Sequence, residues 1–329
     1  MTEPSGTAQR EWDDDQLVEL FDRVDNAGRW GADDELGTLN YITPRKRLEA
    51  AALVRTGRVL SLAHPLLARA TEARPQQIEH RMLYGNVPDG SLGSASEHLA
   101  LDVHQHGITH IDCVSHVASY DGRVYNGRSF NEVATDTGLS FGSVYAQHEG
   151  VVSRGVLLDV AAAAGVEWLD PSHEITAADL DAAERHAGVE VSSGDVVVVR
   201  AGVGAREASV GPSPLGPGPG GDAAVWFHER EIAVYTGDAP EHLTSAGARM
   251  LGLLDEAPTG AGEAVPTRFP LAFHQTCIPA MGLVLLDYCD VEELARTCRE
   301  LGRYEFLFVA APLAIPGGTG SPVNPLAIF

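Results

Sequence analysis

Apolar positions in the second half of the chain come as short solid runs: Arg154 to Val160 (RGVLLDV), Asp195 to Val203 (DVVVVRAGV), Ile232 to Tyr235 (IAVY), Leu283 to Leu286 (LVLL) and Tyr304 to Ala310 (YEFLFVA). Their lengths suit strands, and the β-branched run at 196–199 suits a pleated sheet. Between them lie amphipathic stretches with helix-start signals. Thr176 is placed to cap TAADLDAAERHAG, and Asp290 with Glu293 reads as a capping box for VEELARTCREL. Strand signals alternating with helix signals predict a mixed α/β domain with several buried strands.

Residues 1–60 read as an N-terminal helical arm. Asp13 to Asp15 favour the start of a helix through Leu17 to Val24, because carboxylates suit the positive end of the helix dipole. The turn-rich RWGADDELGTLNYITP follows, and Pro44 opens a second helix, RKRLEAAALV. Neither an internal repeat nor a Pro/Ser-rich linker divides residues 61–329, which read as one domain. Val203 to Asp222, with GPSPLGPGPGG at its centre, reads as a surface loop or a flap over substrate. Trp226 to Ile232 (WFHEREI) reads as a solvated segment, with His228 as a pocket candidate.

Composition narrows the function classes. Of 329 residues, 46 are acidic and 23 basic, a formal net charge of −23, and Lys46 is the only lysine. Such a chain repels nucleic acid and anionic membranes, so neither is an expected partner. Hydrophobic residues make up 44%, enough for a sizeable core. The start of the chain shows neither the basic nor the apolar region of a secretory signal, and the longest apolar stretch, around 156–166, is cut by Asp159. Cys113, Cys277, Cys289 and Cys298 form no CxxC pair and read as buried reduced thiols of a cytoplasmic protein.

Chemistry concentrates in His104-Gln-His106-Gly-Ile-Thr-His110-Ile-Asp112-Cys-Val-Ser-His116. Four histidines and an aspartate are the donors that bind a borderline divalent cation, and all five hold even positions. On a strand, residues two apart share a face about 6.6 Å from each other, whereas residues four apart stand about 13 Å apart. Gly107, Ile108 and Thr109 disfavour helix. The spacing therefore predicts a turn at Gly107 and a strand from Thr109 to Cys113, with His106, His110 and Asp112 on one cation and His116 nearby as proton carrier. A histidine-rich surface or a packed core cluster is the other reading.

HGITHIDCVSH resembles the His-x-Gly-Thr-His-x-Asp-x-x-x-His signature of the metal-dependent cyclase-like hydrolases, which include kynurenine formamidases, isatin hydrolases and trans-dienelactone hydrolases. Ile108 departs from it, standing where the family has a small residue. RWGADDELGTLNYITPRKRL, YDGRVYNG, MGLVLLDYCDVEELA and PLAIPGGTGSPVNPLAIF extend the resemblance over most of the chain. It implies a single swivelling β/β/α domain in a homodimer or higher homo-oligomer. It also puts His106, His110 and Asp112 on metal-ligand positions and His116 on the catalytic histidine. Kynurenine formamidases carry a later His and Glu twelve apart; aligned on Gly282, those positions hold Gln275 and Asp287 here. The pattern is similar to that of isatin hydrolases, which implies Gln275 as fourth ligand, His274 turned elsewhere, and Asp287 as an acceptor behind the ligands.

These readings converge on a metal-dependent hydrolase of an amide, cyclic amide or lactone. The cofactor is a divalent cation, Mn2+ or Zn2+, and His116 is the general acid and base. The substrate is expected to be a small neutral molecule, aromatic if Trp30 and Tyr125 touch it. Two alternatives stay open: a biosynthetic cyclase or dehydratase using the same metal, and a catalytically silent, metal-stapled binding protein.

Overall fold

The computed structural model describes residues 12–69, 71, 78–86, 93–213, 215–243, 245–250 and 267–329; residues 1–11 of the arm lie outside them. The strands of the main sheet are β1 (Val59–Ser61), β2 (His110–Asp112), β3 (Val151–Asp159), β4 (Val196–Arg200), β5 (Val234–Gly237), β6 (Val284–Asp287), β7 (Glu305–Ala310), β8 (Gly320–Pro322) and β9 (Leu326–Ile328). They lie side by side in the order β1-β9-β7-β3-β4-β5-β6-β2-β8.

Four of the five solid apolar runs of the sequence become the middle of this sheet, and the fifth becomes β7 beside them. β3, β4, β5 and β6 run parallel, and every residue of β4, β5 and β6 is buried. Parallel strands need cover on both faces, which is why their sequences are continuously apolar rather than alternating. Successive side chains point to opposite faces. Val156, Leu158, Val197, Val199, Tyr235 and Leu285 build one core, whereas Leu157, Val196, Val198, Val234, Leu286 and Ile111 build the other. The flanking strands pair antiparallel, including β2 with β6 on one side and β8 on the other.

Helices α1 (Asp14–Arg23), α2 (Pro44–Ala51), α3 (Ala177–Ala187), α4 (Val203–Val210), α5 (Gly221–Glu229), α6 (Ala272–Thr276) and α7 (Glu292–Leu301) surround the sheet. Predicted start signals act as expected at three of them. Asp13 and Thr176 form capping boxes, and Thr43 caps the helix that Pro44 opens. α7 differs: it starts at Glu292, so its N-cap is Val291, whose side chain cannot accept, while Asp290 lies one residue earlier and accepts from Glu292 N–H at 3.4 Å and Glu293 bonds Arg58 at 2.9 Å. The arm packs into the molecule through Leu17, Leu20 and Phe21 of α1, which join the first core.

Val203 to Asp222 is more structured than its composition suggests. Its first eight residues are α4, Gly218–Pro219 pairs parallel with Glu174–Ile175, and α5 starts at Gly221. WFHEREI is likewise no solvated segment, since Trp226 and Phe227 are buried in α5. A two-stranded hairpin, Glu79–Asn86 with Gly93–Ala100, pairs only with itself among the described residues and exposes Met82, Leu83, Tyr84 and Leu99. No helix among the described residues is long and apolar enough to cross a membrane.

Candidate metal centre

The site forms where β2 meets β6. His110 lies directly opposite Asp287 in the antiparallel register, and Asp112 lies two residues beyond His110. Strand alternation therefore turns all three to one face, while Ile111 and Leu286 between them enter the core behind. Gly107 takes φ +83 and supplies the predicted turn, and the strand covers His110–Asp112.

The partners of Asp112 differ from those the spacing predicts. His104 Nδ1 stands 3.1 Å and His110 Nε2 3.4 Å from Asp112 Oδ1, neither in a geometry that makes a hydrogen bond. His106 instead meets Tyr288 edge-on, with ring centroids 4.9 Å apart. The chain before the strand is not extended: Gln105 N–H bonds Asp102 O, and Ile108 N–H bonds Gln105 O. Even-position parity fails in that coil, and His104 takes the place expected of His106. His116 stacks on His104 with ring centroids 3.6 Å apart, which places it beside the candidate donor group.

A second departure concerns α6. His274 points into the site, its Nε2 lying 3.1 Å from Asp287 Oδ2 and 3.9 Å from Asp112 Oδ2. Gln275, one residue on, faces away: its Oε1 accepts from Leu271 N–H and its Nε2 donates to Arg268 O. A π-turn at Cys277–Met281 follows and takes in one residue more than an α-turn would. The separation from His274 to Asp287 is consequently thirteen residues, not the twelve that pointed to Gln275. Asp287 stands with the candidate ligands rather than behind them.

The remaining candidates lie apart. Tyr125 is fully buried, its hydroxyl donating to Asp34, so it packs rather than touching a substrate. Trp30 packs edge-on against Tyr41, and His228 contacts Asn26. Outside that set, Asp238 at the end of β5 accepts N–H bonds from Ala201, Gly202 and Val203 and so holds the start of α4. Two residues escaped the sequence reading. Glu241 accepts from His274 Nδ1 at 2.6 Å, and Tyr288 adopts φ +57 beside His106 and His110, a costly conformation for a bulky residue. The dense histidine signal could have flagged His104; nothing local marks Glu241.

Two overlapping groups result, His104-His110-Asp112 and Asp112-His274-Asp287, with donor atoms in each within 4.8 Å of one another. Their electrostatics fit a cation. Asp112 is 1% exposed, yet neither of its oxygens is hydrogen bonded among the described residues, nor is Asp287 Oδ1. His110 Nδ1–H donates to Ile108 O at 2.7 Å, leaving a lone pair on Nε2. That lone pair faces a carboxylate oxygen, and two acceptors at this distance repel unless positive charge lies between them.

Burial opposes ionisation of Asp112, but His116, His104 and His110 outweigh it and hold the carboxyl far below its usual range. Burial pushes His116 down to about 4, with Asp112 opposing, so the ring is neutral and can accept a proton. For His274 burial acts downward, but Asp287 and Glu241 prevail and hold it well above the ordinary histidine range.

The Cyclase family model matches residues 46–242. A crystal structure described as a novel cyclase is similar at 29% identity, covering 93% of this chain and 99% of its own, with a TM-score of 0.74. An isatin hydrolase bound to the product analogue thioisatinate is 19% identical, covers 87% and 99%, and has a TM-score of 0.53. Isatin hydrolase A from Labrenzia aggregata, bound to benzyl benzoate, is 21% identical, covers 84% and 94%, and has a TM-score of 0.51. No curated protein sequence matches the chain significantly.

Proposed function

The chain belongs to the cyclase family, and from that premise we propose that it is a metal-dependent hydrolase that opens an amide, cyclic amide or lactone. One observation carries this reading: a buried aspartate with both oxygens lacking hydrogen bonds, faced by the ring nitrogens of His104, His110 and His274. These residues and Asp287 would hold a divalent cation, manganese or zinc by donor type. When bound, the cation supplies Lewis acidity, making hydroxide available near neutral pH and polarising the scissile carbonyl.

The chain's own groups do the rest. His110 is fixed by its bond to Ile108 O, which keeps Nε2 facing inward. His116, neutral and stacked on His104, takes the proton of the attacking water and returns it to the leaving nitrogen or oxygen. The folds of isatin hydrolases resemble this one, and isatin is a neutral cyclic amide of the kind a strongly acidic protein admits without repulsion. A homo-oligomer is part of the same proposal.

Replacing His116 with Ala is expected to leave metal content unchanged and to lower turnover about 100-fold or more. Metal analysis of the purified protein, combined with a hydrolysis screen of N-formyl aryl amines, isatins and unsaturated lactones, tests both halves; full activity in the variant overturns the role of His116. The two oxygens of Asp112 also favour a second reading, two cations sharing that carboxylate, because Oδ1 faces His104 and His110 while Oδ2 faces His274. Metal stoichiometry separates the two. Hydrolysis in 18O water separates hydrolase from cyclase, since a cyclase leaves the product unlabelled.

A further inference from the structure

We infer that Glu241 is a positioning residue for the metal centre, fixing His274 in the one orientation and tautomer that can ligate. The inference rests on the reading of the site as a metal centre. Glu241 lies in the segment after β5, remote in sequence from every ligand candidate, yet its side chain is buried beneath α6. Its two oxygens serve adjacent residues of that helix: Oε1 accepts from Phe273 N–H at 2.8 Å and Oε2 accepts from His274 Nδ1–H at 2.6 Å. The first bond satisfies an N–H with no partner inside the helix, and the second spends the only proton of a ligating imidazole on the side away from the site. Nε2 then faces the site, hydrogen bonded to Asp287 Oδ2 at 3.1 Å, and would present a lone pair once a cation took the place of its proton.

The geometry excludes direct ligation by Glu241. Its carboxylate stands on the Nδ1 side of the ring and the other two carboxylates on the Nε2 side, so the imidazole separates it from both ligand groups. Its own position is rigidly set. Gly218 approaches so closely that a Cβ there would lie 2.1 Å from the Glu241 carbonyl carbon, and His242 N–H bonds Pro219 O at 3.4 Å. A carboxylate held behind a ligating histidine fixes its tautomer and orientation, and losing it costs about 10- to 100-fold in metal affinity.

Zn2+ competition against a chromophoric chelator at neutral pH tests this with the full chain. Glu241→Gln either turns its amide N–H toward Nδ1, moving the ring proton onto Nε2, or opposes two donors at Phe273. The expected result is zinc binding about 10- to 100-fold weaker than wild type. Glu241→Asp, which keeps the charge but is too short to reach both donors, should also bind more weakly. In the zinc-loaded wild type, the His274 Nδ1–H should give a slowly exchanging 15N-coupled proton signal, assigned by its loss in His274→Gln and absent in Glu241→Gln. Unchanged zinc affinity in a folded Glu241→Gln overturns the inference, as does a wild-type His274 with Nδ1 bare. A purely structural role would lower the melting temperature of the metal-free protein and leave zinc affinity unmoved, which also overturns it. If the variants do not fold, the wild-type signal alone decides. A wild type that takes up neither zinc nor manganese instead overturns the metal centre itself, an outcome distinct from equal binding by wild type and variant.

Discussion

His104 and His106 show what one residue position can and cannot reveal. Donor type was readable in the sequence: His110 and Asp112 lie in one group of donor atoms, and His116 stacks on His104 at its side. Which earlier histidine joins them depends on hydrogen bonds in the turn at Asp102 to Ile108, and those depend on backbone geometry that residue types do not specify. The structure predicts that His104→Ala weakens zinc binding at least about tenfold, a lower bound set by what a lost supporting partner costs, whereas His106→Ala changes it less. Chelator competition on the two variants decides, and the reverse ranking would restore the register expected from parity. Glu241 was invisible for a different reason. A buried carboxylate in a long sequence carries no mark of the histidine it will meet, and only the packing of α6 on the segment after β5 brings them together.

Among elements, the central strands and most helix starts were legible, because solid apolar runs and capping residues act locally. The π-turn at Cys277–Met281 was not, and next to it His274 rather than Gln275 faces the site. It ends at Gly282, which takes φ +63, with Gly37 of the arm so close that a Cβ on Gly282 would lie 2.8 Å from Gly37 Cα and 2.7 Å from the Tyr125 ring. Thr38 N–H bonds Gly282 O in the same contact. Gly282→Ala is therefore expected to cost roughly 2 to 4 kcal/mol, since it adds backbone strain to an overlap with a fixed backbone neighbour. Thermal or urea unfolding measures it; a loss below about 0.5 kcal/mol would show that arm and turn can move apart freely. The glycines near 218–221 escaped prediction similarly: their composition resembles a loop, but they allow close backbone packing against Glu241 and the Trp12 ring.

For the molecule as a whole, the response to acid depends on a few groups withdrawn from water. Burial pushes His242 down to about 4, against about 6.5 in an unfolded chain. Between those values the unfolded chain binds a proton that the folded one does not, so stability is full above about pH 6.5 and falls as the pH drops toward 4. The loss reaches a few kcal/mol, at about 1.4 kcal/mol per pH unit. His242→Asn should flatten the dependence of melting temperature on pH between 4 and 7; an unchanged slope would assign the effect to other groups. The sheet order has a temporal consequence as well. β2, which carries His110 and Asp112, is held between β6 and β8, strands made far later in synthesis, and β1 pairs with β9. Contacts of such long sequence separation form slowly, because loop closure must precede their reward. The pairing of β2 with β8 can close only after residues 320–322 have been made, so the sheet edge that carries His110 and Asp112 is completed among the last events of synthesis.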